Sequence, residues 1–210
     1  MRISLQNVSK RYDLTYILKG VNGEFQGPGC YGIQGRNGSG KSTLLKAISG
    51  VIDFSEGSIA FYEGNAQLAQ KVWRDELIFS APYILLTQDF TLRELLTFYK
   101  EFREFSIPLS YEAFLDVLEW KDPKQKMIKH FSSGMQQRVN LALSILTKSR
   151  ILLLDEPSSY LDTHAKEWFH RLLVKEADQK LIIIASNDEG DFQEVQQRFQ
   201  IESGRMYPVT

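Results

Sequence analysis

The chain has 210 residues, with 25 Lys and Arg against 26 Asp and Glu, a formal net charge of −1. That length buries one sizeable core but is short for two ordinary domains. A nearly cancelled charge without a Lys/Arg cluster argues against a nucleic-acid partner and against an unaided grip on an acidic membrane surface. The one cysteine, Cys30, cannot pair internally and fits a reducing compartment. The longest apolar runs, such as ILLL at 151–154, fall well short of the roughly 20 residues that a membrane-spanning helix needs. The expectation is a cytoplasmic protein with no direct membrane insertion.

In chain order, MRISLQNVSKRY alternates as a strand does rather than reading as a signal peptide, with the strand at 2–8. Strands at 21–25 and, after the GPG turn at 27–29, at 30–34 follow. The period then turns helical at 41–49 and returns to strand at 58–62. An ambiguous stretch containing Trp73 leads to a further strand at 78–80. Next comes TLRELLTFYKEFREF at 91–105, where helical spacing places Leu92, Leu95, Leu96, Tyr99 and Phe102 on one face. Burial against neighbouring helices and a groove for a partner both account for such a stripe. A second helix, 111–120, follows Pro108.

The last third alternates helix 133–146, strand 151–154, helix 165–177, strand 181–185 and helix 191–198, and closes in a hairpin turning at Ser203-Gly204. ILLL and LIII lack alternation, so both of their faces are covered, as in a parallel sheet. No repeat or low-complexity tract interrupts the chain.

Gly35-Arg36-Asn37-Gly38-Ser39-Gly40-Lys41-Ser42, followed by Thr43, fits G-x-x-x-x-G-K-[ST], and it joins a strand to a helix as a phosphate loop must. Its glycines let backbone amides turn toward a phosphate, Lys41 reaches the terminal phosphates, and the Ser42 hydroxyl holds Mg2+. The ion also needs a carboxylate. Asp155 stands at the end of a buried strand, in ILLLDEP, where ligands of open parallel sheets bind. Glu156, one residue further, is placed to orient and deprotonate a water attacking the γ-phosphate. A third motif, FSSGMQQR at 131–138, sets two hydroxyls and a glycine at a helix N-terminus, which is how an anion site looks.

Together, GRNGSGKST, FSSGMQQR and ILLLDEP resemble, in order and spacing, the nucleotide-binding domain of ATP-binding cassette (ABC) transporters, and the resemblance spans essentially the whole chain. It implies an α/β P-loop NTPase with a mainly parallel sheet, an N-terminal antiparallel β subdomain and a small helical subdomain. Residues 1–210 are then one ATP-binding domain, with 88–148 approximately its helical subdomain. FSSGMQQR is similar to the LSGGQ signature, so Ser132 and Gly134 are expected to cap the γ-phosphate of ATP held by a second nucleotide-binding subunit. Capping of their own helix accounts for Ser132 and Ser133 but leaves Gly134 unexplained, because an early helical glycine costs about 1 kcal/mol. Tyr12 matches the aromatic that stacks on adenine, with Tyr16 as a rival and a packed core tyrosine as the plain alternative. Asp162 in SYLD matches the D-loop, or else caps the helix beginning near Thr163.

Two positions depart from the family. Counting back about nine residues from Thr91 lands on Ala81-Pro82-Tyr83, with no Q-loop glutamine, and Gln88 reads as a solvated loop residue. Asn187 stands where the switch histidine is expected, and its amide donates a hydrogen bond but cannot titrate. His130, His164 and His170 have no metal-site spacing. The resemblance implies an ATPase using ATP and Mg2+, paired with a like subunit and an integral-membrane permease at the inner face of the membrane, with slow hydrolysis. An ATP-binding switch with little turnover and a soluble cassette without a permease are the alternatives.

Overall fold

The computed structural model describes residues 1–177 and 179–209. Two sheets organise them. The first is antiparallel, in the order β2-β1-β4-β5, built from β1 (Arg2–Tyr12), β2 (Thr15–Gln26), β4 (Glu56–Glu63) and β5 (Ala66–Gln67). The second has the order β10-β9-β3-β8-β7-β6, with β3 (Gly29–Gln34), β6 (Leu77–Ser80), β7 (Ile151–Asp155), β8 (Leu181–Ser186), β9 (Gln197–Glu202) and β10 (Arg205–Pro208). All neighbours in it are parallel except the β9/β10 hairpin. The α/β fold, the mainly parallel sheet and the N-terminal antiparallel sheet are therefore as expected.

Strict alternation explains why ILLL and LIII are apolar throughout. Ile151, Leu153, Leu181 and Ile183 enter a core shared with the antiparallel sheet and α1 (Lys41–Ile48). Leu152, Leu154, Ile182 and Ile184 enter a second core, with α3 (Leu92–Phe102), α4 (Tyr111–Leu118), α5 (Ser133–Leu146) and α6 (Thr163–Ala177). Successive side chains of a strand point to opposite faces, so a sheet sandwiched by two cores needs no polar positions. The helices between 92 and 118 share that second core rather than having one of their own.

Several boundaries differ from the sequence reading. The first two strands run past 8 and begin before 21, because register shifts between Leu5 and Arg11 let β1 bend and keep pairing up to Tyr12↔Thr15. The stretch around Trp73 forms α2 (Gln70–Asp75), with the indole stacked on Phe61 at 4.0 Å between ring centroids. The helix from 91 starts on a Thr91/Glu94 capping box and ends at Phe102, which is 70% exposed, outside the core its stripe predicted. The helix from 111 stops at Leu118 because Glu119 turns left-handed at φ 53°.

The helix expected at 191–198 is not formed. A short 3-10 turn, Glu189–Phe192, leads instead into β9, where Phe199 and Ile201 are buried and Gln200 and Glu202 exposed. Only Gln197 and Arg198 of that segment join the strand, pairing with Tyr31 and Gly32 at the edge of β3. The hairpin at Ser203-Gly204 is present, both residues having positive φ as a two-residue turn requires. No described helix is long and apolar enough to cross a membrane.

Lys180, 4% exposed, closes the second core at the end of α5 by donating to the carbonyls of Ile145 (2.6 Å) and Thr147 (2.9 Å). Lys180→Met keeps the apolar stem but strands both carbonyls, at about 1–3 kcal/mol each. Urea unfolding is expected to show a loss of about 2–4 kcal/mol at unchanged slope.

Candidate nucleotide site

The phosphate loop leaves β3 at Gln34 and opens α1 at Lys41. Gly40 caps that helix at φ 111°, and a Cβ there would lie 2.9 Å from Leu18 Cδ2 and 3.1 Å from the Ile17 carbonyl. Only glycine lets the loop pass so close beneath β2. The β1/β2 hairpin turns at Asp13-Leu14 and so hangs Tyr12 over the same loop. Between them lies a cavity of about 600 Å3, lined by Tyr12, Ile17, 37–43 of the loop, Pro82, Tyr83, Asp155, Glu156, Ser159 and Asn187.

Asp155, 1% exposed, is the last residue of β7 and sits at the cavity floor. Its Oδ1 accepts from Ser42 Oγ at 3.0 Å and its Oδ2 from Tyr83 Oη at 3.0 Å. Burial raises the carboxyl's pKa while those two hydrogen bonds pull it back. A hydroxyl and a carboxylate oxygen side by side under a phosphate loop are a donor set that fits Mg2+, a hard cation that keeps several waters.

Glu156 adopts a left-handed backbone (φ 47°), fixed by its N–H donating to the Ala185 carbonyl at 2.7 Å. This turns its carboxylate inward. Oε1 lies 3.2 Å from Lys41 Nζ, and Oε2 accepts from the Asn187 N–H at 3.2 Å. Lys41, 5% exposed, also donates to the Gly35 carbonyl at 2.8 Å. Asn187 Nδ2 reaches across to Asn37 Oδ1 at 3.0 Å, so the residue at the switch position touches both the loop and Glu156.

These contacts combine a phosphate loop, a buried carboxylate beside its serine and a second acid facing the loop lysine. Residues 18–159 match the sequence model of the family described as ABC transporter. The chain belongs to that family. As a member it is an ATPase that takes ATP with Mg2+, and ATP-binding domains of the family dimerise and pair with membrane permeases. The ABC transporter ATP-binding protein YybJ of Bacillus subtilis strain 168 is 32% identical over 90% of this chain and 87% of its own. The energy-coupling factor transporter ATP-binding protein EcfA1 of Thermotoga maritima is 31% identical over 90% of this chain and 73% of its own. The dimeric bacterial ABC transporter cassette MJ0796 superposes with a TM-score of 0.82 at 25% identity, covering 99% of both chains.

In this cassette most of the sequence-derived residues meet: Tyr12, Asn37, Gly38, Ser39, Gly40, Lys41, Ser42, Thr43, Asp155, Glu156 and Asn187 share the cavity. Arg36 faces an adjoining depression with Tyr16, whose hydroxyl is held by Glu56 Oε1 at 2.8 Å. Tyr12, half exposed, is the aromatic of the hairpin that lines the cavity of Lys41 and Asp155, whereas Tyr16 lies on the other side of the loop, with 36–39. Gln88 Nε2 is bound to the Leu86 carbonyl and Gln136 Oε1, and the residue does not line the cavity.

Tyr83 was missed, although counting back from Thr91 led to its turn. Nothing in a tyrosine's identity announces a carboxylate partner 72 positions on. The turn is placed by the Ile84 N–H donating to the Ala81 carbonyl at 3.0 Å, and by buried Asn140 on α5 donating to Ser80 Oγ and the Ala81 carbonyl. Lys46 Nζ covers the tyrosine ring at 4.3 Å from its centroid.

Ser132, Gly134 and Asp162 lie outside the cavity lining. Ser132 caps α5, accepting from the Met135 N–H at 3.2 Å, and Asp162 caps α6, accepting from the Ala165 N–H at 2.8 Å. Gly134 has a reason within its own chain, which corrects the sequence reading: a Cβ on it would stand 2.7 Å from the Tyr160 carbonyl oxygen. Gly134→Ala gains about 1 kcal/mol of helix propensity but pushes a backbone carbonyl aside. The expected outcome is a melting temperature lower by roughly 2–6 °C, read by calorimetry.

Proposed function

We propose that this chain is the ATP-binding and hydrolysing subunit that powers an ABC-type membrane transporter, driven by ATP-dependent dimerisation. The observation that carries this reading is the separation of two anion-binding elements. Lys41, Ser42, Asp155 and Glu156 converge on one cavity, whereas the α5 N-terminus at Ser132 is exposed and outside it. Free amides at a helix start attract an anion, and among the described residues none is brought to them. A second cassette packed head to tail supplies it, with Ser132 and Gly134 of one copy facing the nucleotide on Lys41 of the other and Asp162 shaping the same interface.

In this reading adenine stacks on Tyr12, amides of 35–43 wrap the phosphates, and Lys41 exchanges the Gly35 carbonyl and Glu156 for phosphate oxygens. Ser42 and Asp155 would hold Mg2+, which when bound would neutralise charge on the phosphates. Released from Lys41, Glu156 orients and deprotonates the attacking water, and Asn187 donates to a phosphate oxygen. Residues 1–210 act as one cassette with 88–148 as its helical lobe. A permease contact on that lobe fits Phe98 and Phe102, exposed and in ring contact at 5.0 Å, and would hold the protein at the cytoplasmic face of the membrane. Asn187 favours a second reading, a switch that closes on ATP and turns it over little, because an amide donates a hydrogen bond but neither titrates nor carries positive charge.

Glu156→Gln is expected to lower steady-state ATPase activity by at least about a hundredfold, the scale of a lost general base, while ATP binding survives. Sedimentation of that variant with ATP and Mg2+ is expected to give a dimer. Equal turnover in both proteins selects the switch, and a strict monomer removes the head-to-tail arrangement. Tyr12→Ala is expected to weaken ATP binding by about five- to a hundredfold, from a stacking loss of about 1–3 kcal/mol, whereas Tyr16→Ala leaves it unchanged in a fluorescent-nucleotide titration.

A further inference from the structure

Behind Glu156 lies a second carboxyl that the proposed reaction does not use. Asp191, in the 3-10 turn after β8, is 1% exposed. Its Oδ2 lies 2.5 Å from Ser186 Oγ, and that hydroxyl lies 3.2 Å from Glu156 Oε2 and accepts the Asp188 N–H at 3.0 Å. One hydroxyl thus stands between two carboxyl groups.

Counting protons shows one missing when both carboxyls are ionised, and Asp191, which unlike Glu156 has no cation paired with it among the described residues, is the one to hold it. A serine hydroxyl has one hydrogen to give and two lone pairs. If Glu156 and Asp191 were both ionised, that hydrogen would serve the shorter contact, and Glu156 Oε2 would face a bare serine oxygen. One more proton, on Asp191 Oδ2, satisfies every contact: Asp191 donates to Ser186, Ser186 donates to Glu156, and the lone pairs of Ser186 take Asp191 and the Asp188 amide. Asp191 Oδ1 is buried without a hydrogen-bond partner, which costs a neutral carbonyl oxygen less than it costs half of a carboxylate.

The surrounding charges agree. From α6, Lys166 pairs with Asp188 rather than Asp191, and His170, the other basic group facing it, has a buried Nδ1 without a hydrogen-bond partner. Asp188 on the same turn repels an ionised Asp191, and Ser158 adds a neutral hydroxyl. Burial is the largest influence on the Asp191 carboxyl and raises its pKa, with Ser186, Ser158 and His170 opposing.

We propose that Asp191 is held as a neutral carboxylic acid at physiological pH and, through Ser186, is the positioning residue for Glu156. Its proton fixes the direction of the Ser186 hydroxyl, which keeps Glu156 Oε2 hydrogen-bonded and leaves Oε1, once released from Lys41, to face water. The catalytic part rests on the role proposed for Glu156, whereas the protonation does not.

Infrared difference spectroscopy of the whole protein at neutral pH, wild type minus Asp191→Asn, tests the protonation directly. A carboxylic-acid C=O band that shifts in D2O is expected, and loss of carboxylate bands alone overturns the proposal, whatever the ATPase assays give. ATPase profiles test the positioning. Asp191→Val is expected to lose at least about tenfold in turnover, one hydrogen bond's worth at about 1.4 kcal/mol, with ATP affinity kept. Asp191→Asn, whose amide still donates to Ser186, is expected to recover most of that loss and to lack the decline that wild type shows as Asp191 ionises at high pH. An Asn variant as impaired as the Val variant, or one with the wild-type pH profile, overturns the positioning role. Thermal unfolding of both variants separates a folding defect from either result.

Discussion

The hydrogen bond between Ser42 and Asp155 joins the start of α1 to the end of β7, and the chemistry of the chain is arranged around that contact. Its carboxylate is nearly inaccessible, so it needs polar partners on every side. Ser42 and Tyr83 supply them in this structure, and the apolar strands on either side of it hold it at one depth. A carboxylate on a surface loop would cost less to keep charged and would grip an ion less firmly. Burial at a strand terminus exchanges stability for a fixed position, and metal-assisted phosphoryl chemistry depends on that position.

One helix braces both walls of the cavity. From α5, buried Gln137 donates to the Pro157 carbonyl behind Glu156, and buried Asn140 donates to Ser80 and Ala81 ahead of Tyr83. The same helix begins at Ser132 and passes Gly134 beneath the Tyr160 carbonyl. That helix therefore ties its own N-terminus to the loop carrying the second acid and to the turn carrying the tyrosine. The segment at 131–138 combines the cap of its own helix, a close contact with the next loop and an exposed start.

The polar groups of the cavity satisfy one another. Lys41 rests on Gly35 and Glu156, Asn187 on Asn37, and Asp155 on Ser42 and Tyr83. Each pairing avoids an orphaned charge or amide in a partly buried site, and each must be exchanged when phosphate enters. The tyrosine hydroxyl on Asp155 and the Asn187 amide on Asn37 are among the contacts to be exchanged.

By itself the sequence determined the class of chemistry, because that information is local. A phosphate loop needs its glycines, lysine and hydroxyl within a few residues, ILLLDEP announces a buried strand ending in acids, and FSSG announces a helix start. Strands covered on both faces were legible for the same reason, through their lack of alternation. What only the tertiary structure decided lies in long-range pairing: the end of the segment at 191–198, which pairs with β3 as strand rather than helix, and Phe102, left outside the core its stripe predicted. The hairpin turn sets Tyr12 on the side of the loop that holds Lys41 and Asp155, while Tyr16, bonded to Glu56, lies on the side of Arg36. Tyr83, Gly134 and Asp191 owe their meaning to atoms far along the chain: an aspartate oxygen, a backbone carbonyl and the glutamate behind a shared serine. Residue identity states which hydrogen bonds a side chain is able to make, and only the packed fold supplies the partner, the distance and the burial that fix which one is made.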